Sequence, residues 1–131
     1  MKKYFVILVI LFTVIACKKV KFSPEGPTDV RVRNLTNLTF YEVIVNTSGG
    51  ENILGDIAPG SESEYFRFDK AFPKAEIWAT INNEEFYTGP VNYTYMQYLG
   101  QDKITYEVYI SNMDNKVLAI GDVIHDEPIN P

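Results

Sequence analysis

The sequence predicts an all-β domain, seven or eight short strands folded as an antiparallel two-sheet sandwich. Three observations carry that expectation. From Val30 onward the apolar residues repeat with a period of two rather than 3.6. Turn signals rich in Gly, Pro and Asn interrupt the pattern about every eight to twelve residues. No segment offers a long amphipathic helix, an internal repeat or a low-complexity block.

The strands follow in order. In "VRVRN", Val30 and Val32 point inward and Arg31 and Arg33 outward. In "LTFYEVIVN", residues 38–46, strict alternation puts Tyr41, Val43 and Val45 on one face and Phe40 and Ile44 on the other, so both faces are expected to be covered. "TSGGEN" is a turn, "ILGDI" a short strand and "APG" the next turn. "SESEYFRF" sends Phe66 and Phe68 inward, with Tyr65 and Arg67 outward. "AEIWATI" alternates cleanly, with Ala75, Ile77, Ala79 and Ile81 in and Glu76, Trp78 and Thr80 out. Asn82-Asn83 suits a tight hairpin because asparagine tolerates positive φ. "EEFYT" returns along that hairpin. "KITYEVYIS" places Ile104, Tyr106, Val108 and Ile110 on one face; "NMDN" turns and "KVLAI" closes the domain.

The ends read differently. Met1-Lys2-Lys3 precedes an uncharged run, residues 4–16, whose thirteen residues reach roughly 20 Å as a helix, short of the ~30 Å hydrocarbon core. A positive start, a short apolar stretch and a small residue at its end describe an export signal. Residues 17–29 contain two prolines, a glycine and mixed charge with no apolar period, which suits an extended tether. The divisions are therefore 1–16 for the leader, 17–29 for the tether, 30–120 for the sandwich and 121–131 for an acidic, Pro-ended tail expected to fray.

The chain carries 12 basic and 17 acidic residues; without Lys2 and Lys3 the balance of the exported part is −7. That excludes nucleic acid as a partner, because phosphate binding needs basic patches. An acidic surface suits solubility or a basic partner.

Cys17 is the only cysteine, so it has no internal partner for a disulfide. "VIAC" resembles a bacterial lipobox, with Val14, Ile15 and Ala16 leading to the cysteine. The resemblance implies a diacylglyceryl group on the Cys17 sulfur, cleavage just before it, and a membrane partner reached through that covalent lipid. Each buried methylene contributes about 0.8 kcal/mol, so two or three chains hold firmly. Lys18 and Lys19 follow the cysteine, where aspartate or an acidic run marks other destinations in such families. The implied location is the cell envelope, at the outer membrane facing the periplasm. Farther on, "ILGDIAPGSESEYFRF", "AEIWATINNEEFYTGPVNY" and "YEVYI" resemble the immunoglobulin-like and transthyretin-like domains of small Bacteroidetes-type exported lipoproteins.

Catalytic groups are sparse. His125 is the only histidine and sits in the expected tail, no nucleophile-elbow pattern is present, and zinc lacks nitrogen and sulfur ligands. Asp114, Asn115, Asp122, Asp126 and Glu127 do not follow a calcium-loop spacing. Glu84 and Glu85 are adjacent on a strand and point to opposite faces, so they cannot flank one glycosidic bond. The four Asn-x-Ser/Thr triplets, at Asn34, Asn37, Asn46 and Asn92, carry no message in a bacterial protein. No enzyme, metal or diffusible cofactor is expected.

One stretch rises above this background. "FYTGPVNYTYMQYLG" gathers Phe86, Tyr87, Tyr93, Tyr95 and Tyr98, and the hairpin brings Trp78 near. Trp78, Tyr87, Tyr93, Tyr95 and Tyr98 form a candidate binding surface, because such rings join apolar area to a polar handle. The same rings also serve to cover sheet faces and close loops. The leading expectation is a non-catalytic binding or scaffold module for an envelope protein or glycan. Two alternatives stand beside it: carbohydrate capture, which needs Trp78 and at least two of Tyr87, Tyr93 and Tyr95 coplanar and exposed, and inhibition of a basic exported enzyme.

Overall fold

The computed structural model describes residues 24–129. The leader, Cys17 and most of the tether lie outside the described residues. Eight strands run in order: β1 (Thr28–Asn34), β2 (Phe40–Asn46), β3 (Glu51–Ile57), β4 (Phe66–Phe68), β5 (Glu76–Ile81), β6 (Glu84–Tyr87), β7 (Asp102–Asn112) and β8 (Val117–Pro128). All-β architecture and strand number agree with the sequence. The arrangement differs from the expected antiparallel sandwich. The strands make one ladder, β3-β2-β5-β6-β8-β7-β1-β4, and two of its joints, β1–β7 and β6–β8, are parallel. The two ends of the ladder approach each other. Asn52 on β3 donates from Nδ2 to the Arg67 carbonyl of β4 at 3.1 Å, and the Asp69 N–H donates to the Gly49 carbonyl at 2.9 Å. The result is a nearly closed barrel, which leaves little free edge.

Closure depends on close backbone approach. A Cβ on Gly49 would lie 2.4 Å from the Lys70 carbonyl oxygen, and one on Gly26 would lie 2.0 Å from that of Asp69. Gly49→Ala is expected to lower the unfolding free energy by about 1–3 kcal/mol through overpacking, read as a lower thermal midpoint. An unchanged midpoint would contradict the close approach.

The inward positions of the alternating strands fill the barrel. Val30, Val32, Phe40, Val43, Val45, Ile77, Ile81, Ile104, Tyr106 and Val108 are fully buried, and each large apolar side chain contributes about 1.5–3 kcal/mol. The Tyr106 hydroxyl donates to the Phe72 carbonyl at 2.5 Å, and burial pushes its phenol well above the ordinary value. Ala75, Ile77, Ala79 and Ile81 all face in, and Asn82 and Asn83 have φ of 52° and 64°, so the hairpin forms as the sequence predicts.

Two strand readings change. In β2 the expected faces do not hold: Phe40 is buried beside Val43 and Val45, while Tyr41 is exposed. A bulge interrupts the register between Tyr41 and Ile44, with Glu42 at φ 50°. One extra residue returns Phe40 to the core and turns Tyr41 out. The expected fraying tail is also corrected. Residues 121–128 continue β8 along β7, with Ile104 opposite His125 and Asp102 opposite Pro128. The charges that suggested a free tail find partners across the ladder: Lys103 Nζ lies 3.0 Å from Glu127, and His125 Nδ1 lies 2.6 Å from Asp102.

Candidate functional site

The predicted aromatic surface divides into three parts. Trp78 and Tyr87 are register partners on β5 and β6, and their rings stack at 4.8 Å and 8° on the outside of the barrel. Tyr93 and Tyr98, on the crossover from β6 to β7, instead tilt onto Phe72, with centroids 4.8 and 5.1 Å away. With Leu99, whose N–H donates to the Ala71 carbonyl at 2.9 Å, they help close one end of the barrel. Tyr95 stands alone at a turn tip, 97 % exposed. The coplanar platform of Trp78 with two of Tyr87, Tyr93 and Tyr95 is therefore not assembled.

Trp78 and Tyr87 belong to a different row. Ile53 on β3 is opposite Ile44 on β2. Ile44 is opposite Trp78, Trp78 opposite Tyr87, and Tyr87 opposite Val117 on β8. Because Val43, Val45, Ile77, Ala79, Phe86, Leu54 and Leu118 are buried, these five alternate residues face out. Five adjacent strands at about 4.8 Å make a row roughly 20 Å long. Cross-strand pairs of this kind stabilise the sheet, yet Ile53 is 67 % exposed and the other four are only half-buried. From β3 to β6 the wall is antiparallel, and the outer face of such a sheet ordinarily carries polar residues at these positions. The Trp78 indole N–H has no hydrogen-bond partner among the described residues, so it is available to an acceptor from outside. Sequence reading missed Ile44 and Ile53. Their signal was present as the outward half of each alternation, but only the register aligns them with Trp78.

Charge sets this wall apart. β2, β3, β5 and β6 together hold six carboxylates, Glu42, Glu51, Asp56, Glu76, Glu84 and Glu85, and no Lys or Arg. Lys116 reaches Glu84 at 3.0 Å. Glu42, Glu51, Asp56, Glu76 and Glu85 are in no ion pair among the described residues. Glu76 accepts a short hydrogen bond from the Tyr87 hydroxyl, and that bond, with lesser help from desolvation, pushes the phenol up to about 12. A raised phenol value favours the folded state below the ordinary 10.0, and this contribution is lost as pH rises through about 12. Ultraviolet titration is expected to find Tyr87 ionising near 12, and Glu76→Gln to move it down. A Tyr87 titration untouched by Glu76→Gln would contradict the pairing.

On the side made by β1, β7 and the far half of β8, charges of both signs are present and pair with one another. Arg33 is held between Glu62 at 2.8 Å and Glu107 at 2.7 Å. Arg31 donates from Nε to Thr105 Oγ1 at 2.8 Å and lies 4.7 Å from the Tyr65 ring centre. Asp126 accepts from Tyr65 at 2.8 Å and from Thr105 at 2.7 Å. These groups satisfy one another, as a structural network does. His125 is bound to Asp102 with no nucleophile in that contact. Among the described residues, no group of three or more His, Cys, Asp or Glu is placed to hold a metal ion.

No family model matches the chain, and no curated protein matches it. Among solved structures, a protein from Eubacterium rectale determined by NMR is similar at 14% identity and a TM-score of 0.49, covering 79% of this chain and 96% of that one. The likeness is too slight to carry an inference about function.

Proposed function

We propose that this protein is an envelope lipoprotein, anchored through a diacylglyceryl group on Cys17, that binds a basic protein partner without catalysis. The observation that carries the reading is the outward row Ile53–Ile44–Trp78–Tyr87, set in strands that hold six carboxylates and no Lys or Arg, with only Glu84 paired, to Lys116. A flat, half-exposed apolar row with an aromatic pair at its centre suits a protein surface better than a small molecule, which needs a concave site. The unpaired carboxylates steer a cationic partner and disfavour an acidic one. Arginine from such a partner has the exposed parts of the Trp78–Tyr87 pair to lie against. Inhibition of a basic exported enzyme is one form this binding takes.

Two measurements test the reading. The exported chain is expected to bind a synthetic peptide of alternating leucine and lysine, more weakly as salt rises, and to ignore the leucine–glutamate counterpart. Equal binding of the two peptides would remove the charge argument. Cys17→Ser is expected to shift the protein from the membrane to the soluble fraction of its native cells; retention in the membrane would refute the lipid anchor.

A further inference from the structure

A concave site with different chemistry lies beside the flat row, where the β1–β2 loop meets the β5–β6 turn. Asn37, Leu38, Thr39, Tyr41, Asn82 and Asn83 line a cleft of about 400 Å³. None of the six is charged. The side chains of Asn37, Thr39, Asn82 and Asn83, and the Tyr41 hydroxyl, make no hydrogen bond among the described residues. Three free carboxamides, the free hydroxyls of Thr39 and Tyr41, and a tyrosine residue 49 % exposed thus share one opening.

Each wall of the cleft is held in place. The β1–β2 loop is pinned by the buried Asn34, whose Nδ2 donates to Leu38 O at 2.6 Å and to Ile57 O at 3.1 Å. Its Oδ1 accepts from Thr36 N at 2.9 Å. The β5–β6 ladder fixes Asn82 and Asn83 in a two-residue turn with positive φ. The β2 bulge aims Tyr41 outward, and Glu42 N–H, beside it, donates to Asp56 Oδ1 at 2.9 Å. The backbone that carries the polar groups is therefore fixed, and binding has to order only their exposed side chains.

We propose that this cleft binds a neutral saccharide chain. A carboxamide offers one acceptor and two donors in a plane, which matches adjacent sugar hydroxyls. The face of the Tyr41 ring suits the C–H face of a pyranose, and its hydroxyl supplies a further polar contact. The uncharged lining offers an ionic ligand no partner charge, and the carboxylates of the adjoining strands, Glu42 and Glu84 among them, disfavour an anionic one. The volume falls within the ~300–1,000 Å³ of small-molecule sites, so one or two sugar units seat in the cleft and the chain continues into solvent.

Isotope-edited NMR of the exported chain in a non-glycosidic detergent tests this, with cellotriose, maltotriose and chitotriose as probes. At least one is expected to give saturable shifts confined to the side-chain amides of Asn37, Asn82 and Asn83 and to Tyr41, with Kd of about 1 mM or tighter. Tyr41→Ala and Asn83→Gly are each expected to weaken that binding at least about tenfold. Glycine keeps the positive φ of the turn, so Asn83→Gly removes the amide and not the hairpin. The site is independent of the apolar row, and Ile53→Lys is expected to leave saccharide binding unchanged. No saturable shift with any of the three probes, or undiminished binding in both cleft variants, would overturn the proposal.

Discussion

Asn34→Ala is expected to cost about 3 kcal/mol of unfolding free energy, the largest loss from a single polar side chain in this protein. Asn34 is fully buried at the end of β1. It donates to two carbonyls, Leu38 and Ile57, and accepts from both the Thr36 N–H and its hydroxyl. Alanine removes all four bonds at once. Each buried group left without a partner costs about 1–3 kcal/mol, partly recovered where Thr36 and Leu38 rearrange. Domains of this size are stable by about 5–15 kcal/mol, so the variant stays folded but melts much earlier. Asn34→Asp is no rescue, because it loses both donors and buries a charge. Urea unfolding with the slope unchanged is the measurement. A loss under about 1 kcal/mol would mean that the β1–β2 loop is held by something other than this side chain.

Trp78→Ala combined with Ile53→Lys is expected to weaken binding of the leucine–lysine peptide by about a hundredfold, close to 3 kcal/mol. Trp78 supplies the aromatic centre of the row and a free indole donor. Ile53 is already 67 % exposed, so lysine there adds repulsion toward a cationic partner without disturbing the core. The thermal midpoint should move by only a few degrees, since both side chains face outward. Tyr109→Ala, on the β7 surface, removes a comparably exposed ring from the side of the barrel where the cations are paired, and should leave binding intact. Binding that survives the double substitution, or falls equally in Tyr109→Ala, would place the partner elsewhere.

Much of this was legible in the sequence because a strand's period is local. Ala75 to Ile81 and Ile104 to Val108 announced their buried faces without reference to any neighbour. The positive φ at Asn82 and Asn83 followed from residue type. What the sequence hid depends on distant partners. The bulge at Glu42 shifts β2 by one residue, and no residue type there demands it. Barrel or sandwich is a matter of which strands pair, and the parallel joint of β1 to β7 links segments 74 residues apart. The tail looked unstructured because its charges were read alone; Lys103 and Asp102 supply their partners. The candidate site follows the same division. Trp78 and Tyr87 stood out by type and turn, while Ile44 and Ile53 joined them only through register. Tyr93 and Tyr98 looked alike in sequence but met Phe72, a residue no local pattern connects to them.

The most direct measurement is photo-crosslinking in the native envelope, with a benzophenone amino acid placed at position 53 and, in a second strain, at position 109. The apolar wall predicts a discrete adduct with a basic protein from position 53 and none from position 109. No adduct from position 53, or the same adducts from both positions, would contradict it.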